Sequence, residues 1–365
     1  MNKKEVLEIR KQFTPENCAI TRICGCYVDH EKEKKTELKK AFLSLPEEEG
    51  FKYFDIFKHT LSGTLGKNLI NMEFPLEQEL PGGTQEFLLK LRDSKLQDDL
   101  LIEEFYDKVI ANYNYGENYY IILIHAVYDV PGKSTDGLEM FDASDVVYEH
   151  LMCSICPVNL TKAGLTYNAE TNNIEDRIRD WFVELPVKGF LFPAFNDRAS
   201  DIHHILYYSK KPEELQPDFI ANVLGSQIPL TAKDQKTTFQ TIISDTLGEE
   251  CDYEVVRNIH DNLNEMIEAS KEEPEPLELA RMDVKKLFAK SGVAAEKMET
   301  FDEDFAEIVG EKKTLLASNI ETPDVVVKVN PERSDLVETR EIDGRRCLVI
   351  AIDDHLEVNG IEVRK

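Results

Sequence analysis

Apolar residues recur along this chain with two different periods, and the change of period marks its organisation. Over residues 119–130 they run almost without interruption, YYIILIHAVYDV, which predicts a central strand covered on both faces. Residues 19–28, 180–185, 189–192 and 202–208 read as further strands. Residues 165–168, with those from 174 onward, read as a hairpin around polar 170–173. A helical period holds over residues 3–12, over 98–113 with Leu101, Phe105 and Val109 in a stripe, and over the segment carrying Phe51, Phe54, Phe57 and Leu61. Ser44 as N-cap, Pro46 in the first turn and Glu47 beside it are start signals for that last helix. A highly charged helix is expected over 32–43, and a short helix capped by Asp142 or Ser144 is expected to run to Leu151.

The texture changes after Pro212. Residues 215–224, 237–247, 253–269, 277–290 and 293–309 predict amphipathic helices, with Gly225 and Gly248 as C-caps and a linker over 272–276. Strands return at 325–329, 336–342 and 347–352, and again about Asn359. Asp343-Gly344 and Asn359-Gly360 are type I′ hairpin dipeptides. The pattern therefore predicts an α+β fold: a largely antiparallel sheet domain with flanking helices over 1–211, an acidic helical region over 212–318, and a small C-terminal β-meander over 319–365.

Charge narrows the function classes. The 43 basic and 70 acidic residues leave a formal charge of −27, which disfavours general nucleic-acid binding because phosphate contacts need clustered Lys and Arg. Residues 241–310 alone hold 19 acids against 7 bases, the expected solvated faces of amphipathic helices. The charge is read first as solubility, and second as a surface that docks a basic partner. The start, MNKKEVLEIRKQF, has no apolar h-region, and the apolar run at 119–124 is too short to cross a bilayer. A cytoplasmic protein with no membrane contact is expected. Seven cysteines, an odd number, fit reduced thiols.

Candidate chemistry concentrates in residues 186–212. Asn196, Asp197 and Arg198 precede Asp201, His203 and His204 between two strand-like runs. If 202–208 is a strand, Asp201 and His203 share one face and His204 takes the other. Asp197, Asp201 and His203 are thus the candidate ligands of a divalent metal, with Asn196 assisting and Arg198 available for an anionic group. The plainer reading makes Asn196-Asp197 a turn and Arg198 an ion-pair partner. A second candidate is a four-thiolate zinc site of Cys24, Cys26, Cys153 and Cys156, although the spacing departs from paired knuckles. Gly63-Thr64-Leu65-Gly66-Lys67-Asn68 lacks the gap and the Ser or Thr of a phosphate loop and is read as helix punctuation.

FTPENCAITRICGCYVD at 13–29, LSLPEEEGFKYFDIFKHTLSGTLGKN at 43–68, CSICPVNL at 153–160, GFLFPAFNDR at 189–198 and VNPERSDLVETREIDGRRCLVI at 329–350 resemble one family along nearly the whole chain. It is a family of uncharacterised proteins with a domain of unknown function, found in Gram-positive anaerobic bacteria. The resemblance implies a bacterial cytoplasmic protein and brings no activity, cofactor or catalytic residue. The expectation is a non-enzymatic interaction or regulatory protein that docks a protein partner through its acidic helices or C-terminal strands. The alternative is a metal-dependent hydrolase or nuclease-like enzyme centred on residues 196–203.

Overall fold

The computed structural model describes residues 1–133, 139–140, 146–227, 230, 232–248, 253–270, 277–298, 301–309, 314–320, 337–342, 345–350, 356–358 and 361–363. The chain forms two compact units, residues 1–231 and 232–365.

The first unit opens with α1 (Lys3–Arg10), β1 (Ile20–Val28), β2 (Lys34–Ala41), α2 (Glu47–Thr60), β3 (Leu69–Glu73), α3 (Leu76–Glu79), α4 (Thr84–Asp93) and α5 (Asp99–Asn112). The long strand β4 (Tyr119–Val130) follows, then short β5 (Gly132–Lys133) and β6 (Glu139–Met140), then β7 (Val146–Leu160). After these come β8 (Leu165–Asn168), β9 (Asn173–Asp176), β10 (Trp181–Val183), β11 (Lys188–Phe192), β12 (Ala194–Asn196), β13 (Ala199–Asp201), β14 (His204–Ser209) and α6 (Pro217–Asn222). One antiparallel sheet runs β2-β1-β4-β7-β11-β14-β3, with β10 added to the far end of β7.

Strand alternation sorts the apolar side chains onto two faces. Cys24, Leu123, Cys153, Phe190 and Tyr207 face a core closed by Leu88 and Leu91 of α4, Phe105 and Val109 of α5, and Phe219 of α6. Ile23, Ile122, Met152, Leu191 and Leu206 face the other, closed by Val6 and Ile9 of α1 and by Phe54 and Phe57 of α2. The uninterrupted hydrophobicity of β4 thus has its expected cause, cover on both sides. Caps fix the helix starts. Asn2 accepts from the amides of Lys4 and Glu5 while Glu5 reaches back to the Asn2 amide, and Asp98 accepts from those of Leu100 and Leu101.

Several segments of the first unit differ from expectation. The charged stretch at 32–43 is not a helix but the edge strand β2, followed by a 3₁₀ turn, Phe42–Ser44. Its lysines reach across to α5: Lys34 pairs with Glu103 and Asp107 at 2.6 and 2.7 Å, and Lys39 with Asp99 at 3.0 Å. Lysine suits an edge because it blunts further pairing. Ser44 does not cap α2; its hydroxyl donates to the Ala41 carbonyl, and the helix starts after Pro46 with three glutamates in its first turn. Residues 146–151 are strand, not helix: β7 pairs with β4 from Tyr119↔Pro157 to Val130↔Val146. Asp142 and Ser144, the expected caps, lie outside the described residues.

The second unit holds α7 (Ala232–Leu247), α8 (Tyr253–Ala269), α9 (Arg281–Lys290) and α10 (Phe301–Ile308), whose buried Phe239, Ile259, Leu263, Phe288, Phe301 and Phe305 supply its core. The single helix expected over 293–309 is instead a 3₁₀ turn, Ala295–Met298, followed by α10. Short strands β15 (Glu278–Leu279) and β16 (Leu315–Leu316) pair, and α11 (Ala317–Ile320) follows. The two hairpins appear where the dipeptides placed them, β17 (Val337–Ile342) with β18 (Arg345–Ile350) and β19 (Leu356–Val358) with β20 (Ile361–Val363). The expected linker at 272–276 and strand at 325–329 lie outside the described residues. No helix among the described residues is long and apolar enough to cross a membrane.

Where α2 crosses the sheet, close approach depends on small residues. Thr60 bonds the Ser154 hydroxyl at 2.6 Å, and a Cβ on Gly189 would collide with the Cys153 carbonyl and the Thr60 methyl. Gly189→Ala is expected to lower the unfolding free energy by about 1–3 kcal/mol. Gly50→Ala, inside α2 with open space around its Cβ, is expected to raise it by about 0.5–1 kcal/mol. Urea unfolding of both variants checks the pair.

Candidate functional site

The stretch at 194–204 is a small hairpin hung below the sheet. Asp197 and Arg198 both take positive φ, +51° and +56°, and close the turn between β12 and β13. Asp201 then fastens the return. It accepts from the Asn196 side-chain amide at 2.6 Å and the His203 backbone amide at 3.0 Å, and meets His204 Nδ1 at 2.8 Å. Burial works to raise the Asp201 carboxyl, but the Asn196 and His203 hydrogen bonds and the neighbouring His204 outweigh it and hold it below its ordinary value. Residues 202–203 are a turn and the strand begins at His204, so Asp201 is partnered by the His204 ring and not by that of His203 as alternation implied. His203 points instead to Glu79 on α3, with Nδ1 2.7 Å from its carboxylate, a hydrogen bond that raises the imidazole above its usual value.

Arg198 is likewise engaged. Its Nε and Nη2 lie 3.1 and 2.8 Å from the Glu8 carboxylate, and Nη2 also donates to the Pro131 carbonyl at 3.1 Å. The plainer reading of Arg198, an ion-pair partner, is the one seen. Asp197, Asp201 and His203 do not bring their ligand atoms together. Among the described residues the group whose ligand atoms lie within 4.8 Å of one another is Asp29, Glu31 and Glu33. There the Asp29 side chain caps its own turn by accepting from the Glu31 and Glu33 amides, and Lys35 neutralises it at 2.8 Å.

The sheet separates the four candidate thiols. Cys24, Cys26 and Cys153 face the α5 side, while Cys156, three residues after Cys153, faces the α2 side. Cys24 and Cys153 sit in register on either side of Leu123, about 9–10 Å apart across two strand spacings. Burial, aided by Glu37, pushes the Cys26 thiol up to about 12, and burial raises Cys153 and Cys156 strongly. Protonated, apolar-packed thiols are core residues.

Two polar groups escaped the sequence reading because their members are far apart in the chain. A β-bulge between Ile20 and Arg22 turns Thr21 so that its Oγ1 lies 2.6 Å from His125 Nδ1, and His125 Nε2 lies 2.7 Å from Glu149. This clasp ties β1, β4 and β7 together through a fully buried imidazole. Burial lowers His125 below its ordinary value against the pull of Glu149, so the ring is neutral: Nε2–H donates to the carboxylate and Nδ1 accepts from the threonine. The second group is buried Lys188, whose ammonium donates to the Ser209 hydroxyl at 2.7 Å and to the Glu214 carbonyl. Burial brings it down to about 8. It anchors the loop after β14.

The least covered part of the unit is an arm. Beyond Pro157, β7 leaves β4 and pairs with β10, Trp181↔Leu160 through Val183↔Val158, and the β8–β9 hairpin extends from this stem. Tyr167 stands opposite Ile174 with Leu165 beside it, which makes an apolar stripe. Leu165, Tyr167, Ile174 and Ile178 are 77%, 59%, 56% and 83% exposed, and Trp181 and Phe182 are 58% and 59% exposed. Trp181 is the chain's single tryptophan. The hairpin itself was predicted, but its periodicity does not reveal whether the apolar face is covered. A cleft of about 260 Å³ at the start of α4 is lined by both signs, Glu86 and Glu104 with Lys90 and Lys108, and Glu86 already accepts from the Gly82 amide at 2.6 Å.

Acid should strain this unit at one position above all. His150 is stacked on Tyr148 with ring centroids 4.4 Å apart, and burial holds its imidazole down to about 3. The unfolded chain therefore takes up the proton first, near the ordinary histidine value. The group's stability contribution is intact above about pH 6.5 and is lost as pH falls from there toward 3, by roughly 2–3 kcal/mol at pH 4.5. His150→Leu is expected to flatten the fall in unfolding free energy between pH 7 and pH 4.5, as read by urea titration at each pH. An undiminished fall would show that other groups carry it.

No match was found among curated proteins. Residues 1–361 match the family model of a domain of unknown function, DUF4317, and the chain belongs to that family.

Proposed function

We propose that this protein is a binding protein that docks another protein through the arm at residues 158–185. The observation that supports this reading is the uncovered apolar surface there; outside the arm, Phe51 is the one exposed Phe or Tyr among the described residues. Leu165, Tyr167, Ile174, Ile178, Trp181 and Phe182 are each more than half exposed within this one arm, and apolar side chains gathered in the open mark interaction sites. β10 pairs with β7 along one edge, and among the described strands nothing pairs with its other edge. An exposed backbone edge flanked by aromatic side chains suits strand addition by a protein partner. The arm is chosen because it supplies exposed apolar surface and a free strand edge together.

The hydrolase or nuclease-like alternative has less support. The side chains of Arg198, Asp201 and His203 are committed to Glu8, Asn196, His204 and Glu79, so the groups expected to bind metal or an anion hold the hairpin in place instead.

A photo-crosslinking residue placed at position 182 in cells that make the protein tests the reading. A protein adduct is expected from that position and not from position 100, a more solvated site at which Leu100 is 81% exposed. No protein adduct at 182, or equal yields from both positions, would sink the proposal.

A further inference from the structure

We propose that Thr21, His125 and Glu149 form a nucleophilic triad that hydrolyses small anionic esters, with the Thr21 hydroxyl as the nucleophile.

The first support is the direction of the hydrogen bonds. A hydroxyl becomes a nucleophile when an adjacent base takes its proton and a third group holds that base in place. Glu149, 2.7 Å from Nε2, fixes the His125 proton there, which leaves Nδ1 as the base 2.6 Å from Thr21 Oγ1. The hydroxyl also lies 3.2 Å from the His125 carbonyl, and the contact with Nδ1 is the shorter. The carboxylate on Nε2 and the hydroxyl on Nδ1 reverse the order found in serine proteases. Proton transfer needs only that one nitrogen be held as N–H and the other accept. Burial keeps the ring neutral, so the base is in its active form at neutral pH.

The second support is access. Thr60, Ser154 and Ser209 also meet polar partners, but all three are buried and closed to a substrate. Thr21 sits at the bulge, pairs in register with no residue of β2 or β4, and is exposed. The surrounding charges select the substrate. Arg22 stands opposite His125 in the strand register, and its Nε is buried without a hydrogen-bond partner among the described residues. Arg92 in the last turn of α4 and exposed Lys95 just after it also bring positive charge to His125. Arg92 is held by Asp93 at 2.6 Å, so Arg22 and Lys95 are the cations left for an anionic group and for the oxyanion that forms. Thr21 Oγ1 attacks the ester carbonyl carbon as its proton passes to Nδ1. The bond to the leaving alcohol breaks, and the alcohol takes that proton. Water then attacks the acyl–threonine ester and gives a proton to Nδ1. The bond from carbon to Oγ1 breaks, the proton returns to Thr21, and the carboxylic acid leaves.

Two p-nitrophenyl esters of equal acyl length, the neutral hexanoate and the anionic hydrogen adipate, test the triad on the full chain. The wild-type protein is expected to release nitrophenolate and, after acid quench, to carry the acyl group on the peptide that contains Thr21. Thr21→Ala alters an exposed side chain and should lower kcat/KM about 100-fold or more with an unchanged thermal midpoint, and Thr21→Ser should retain hydrolysis. Glu149 acts through the ring as a positioning residue. In Glu149→Gln the side-chain amide can donate to Nε2, which moves the ring proton to Nδ1 and should lower kcat about 100-fold at unchanged KM. A clasp with a structural role alone would lose stability without that split. KM for the adipate should be up to about fivefold below that for the hexanoate, and Lys95→Glu should erase the difference. Wild-type hydrolysis no faster than that of Thr21→Ala, or an acyl group found only on lysines, would overturn the triad. Equal KM values for the two esters would overturn the anionic substrate class.

Discussion

The pairing of β4 with β7 is the constraint from which the rest of the first unit follows. Twelve residue pairs run from Tyr119↔Pro157 to Val130↔Val146, and both strands are buried on both faces over most of that length. A strand pair so enclosed demands cover on each side, which α4, α5 and α6 supply to one face and α1 and α2 to the other. It also fixes what neighbouring residues can do. Positions three apart on such a strand lie on opposite faces, so Cys153 and Cys156 belong to different cores and cannot share an ion.

Burial on this scale also disciplines the polar residues within the sheet. A polar group taken out of water must find a partner or give up its charge. His125 does both, with Thr21 and Glu149 on its two nitrogens and a neutral ring. Thr60 and Ser154 satisfy each other at the α2 crossing, and Lys188 is satisfied by Ser209 and the Glu214 carbonyl. These groups have the composition of catalytic residues, and each also has a complete structural use. The same holds for Asp201 and Arg198, whose hydrogen bonds define the hairpin.

Elements with strong local signals could be read from the chain: β4 from its unbroken apolar run, α2 from its Phe stripe, the C-terminal hairpins from Asp343-Gly344 and Asn359-Gly360. Segments whose identity is set by distant partners could not. Lys34–Ala41 has the charge density of a surface helix, and it is a strand because β1 offers a free edge and α5 offers Asp99, Glu103 and Asp107. Asp201 was legible as a polar anchor, but its true ring partner was not. That choice turned on whether the strand began at Ile202 or two residues later, a boundary that periodicity leaves loose. The Thr21, His125 and Glu149 clasp spans more than a hundred residues and leaves no local pattern at all.

The arm exists because β7 is longer than the strand it pairs with. β4 begins at Tyr119, opposite Pro157, and the Asn118 carbonyl still holds the Val158 amide at 2.8 Å; from there onward β7 must find another neighbour. β10 provides three residues of pairing, too few to build a core of their own. The sequence nevertheless places Trp181 and Phe182 on that strand and keeps Leu165, Tyr167 and Ile174 in alternation on the hairpin beyond it. Through the middle of the sheet such apolar side chains are covered by helices. Alternation with nothing opposite it gains no stability for the isolated chain, because the free energy of hiding an indole from water is realised only when a surface closes over it. The extra length of β7 and the aromatic residues of β10 make physical sense together if that surface arrives from outside.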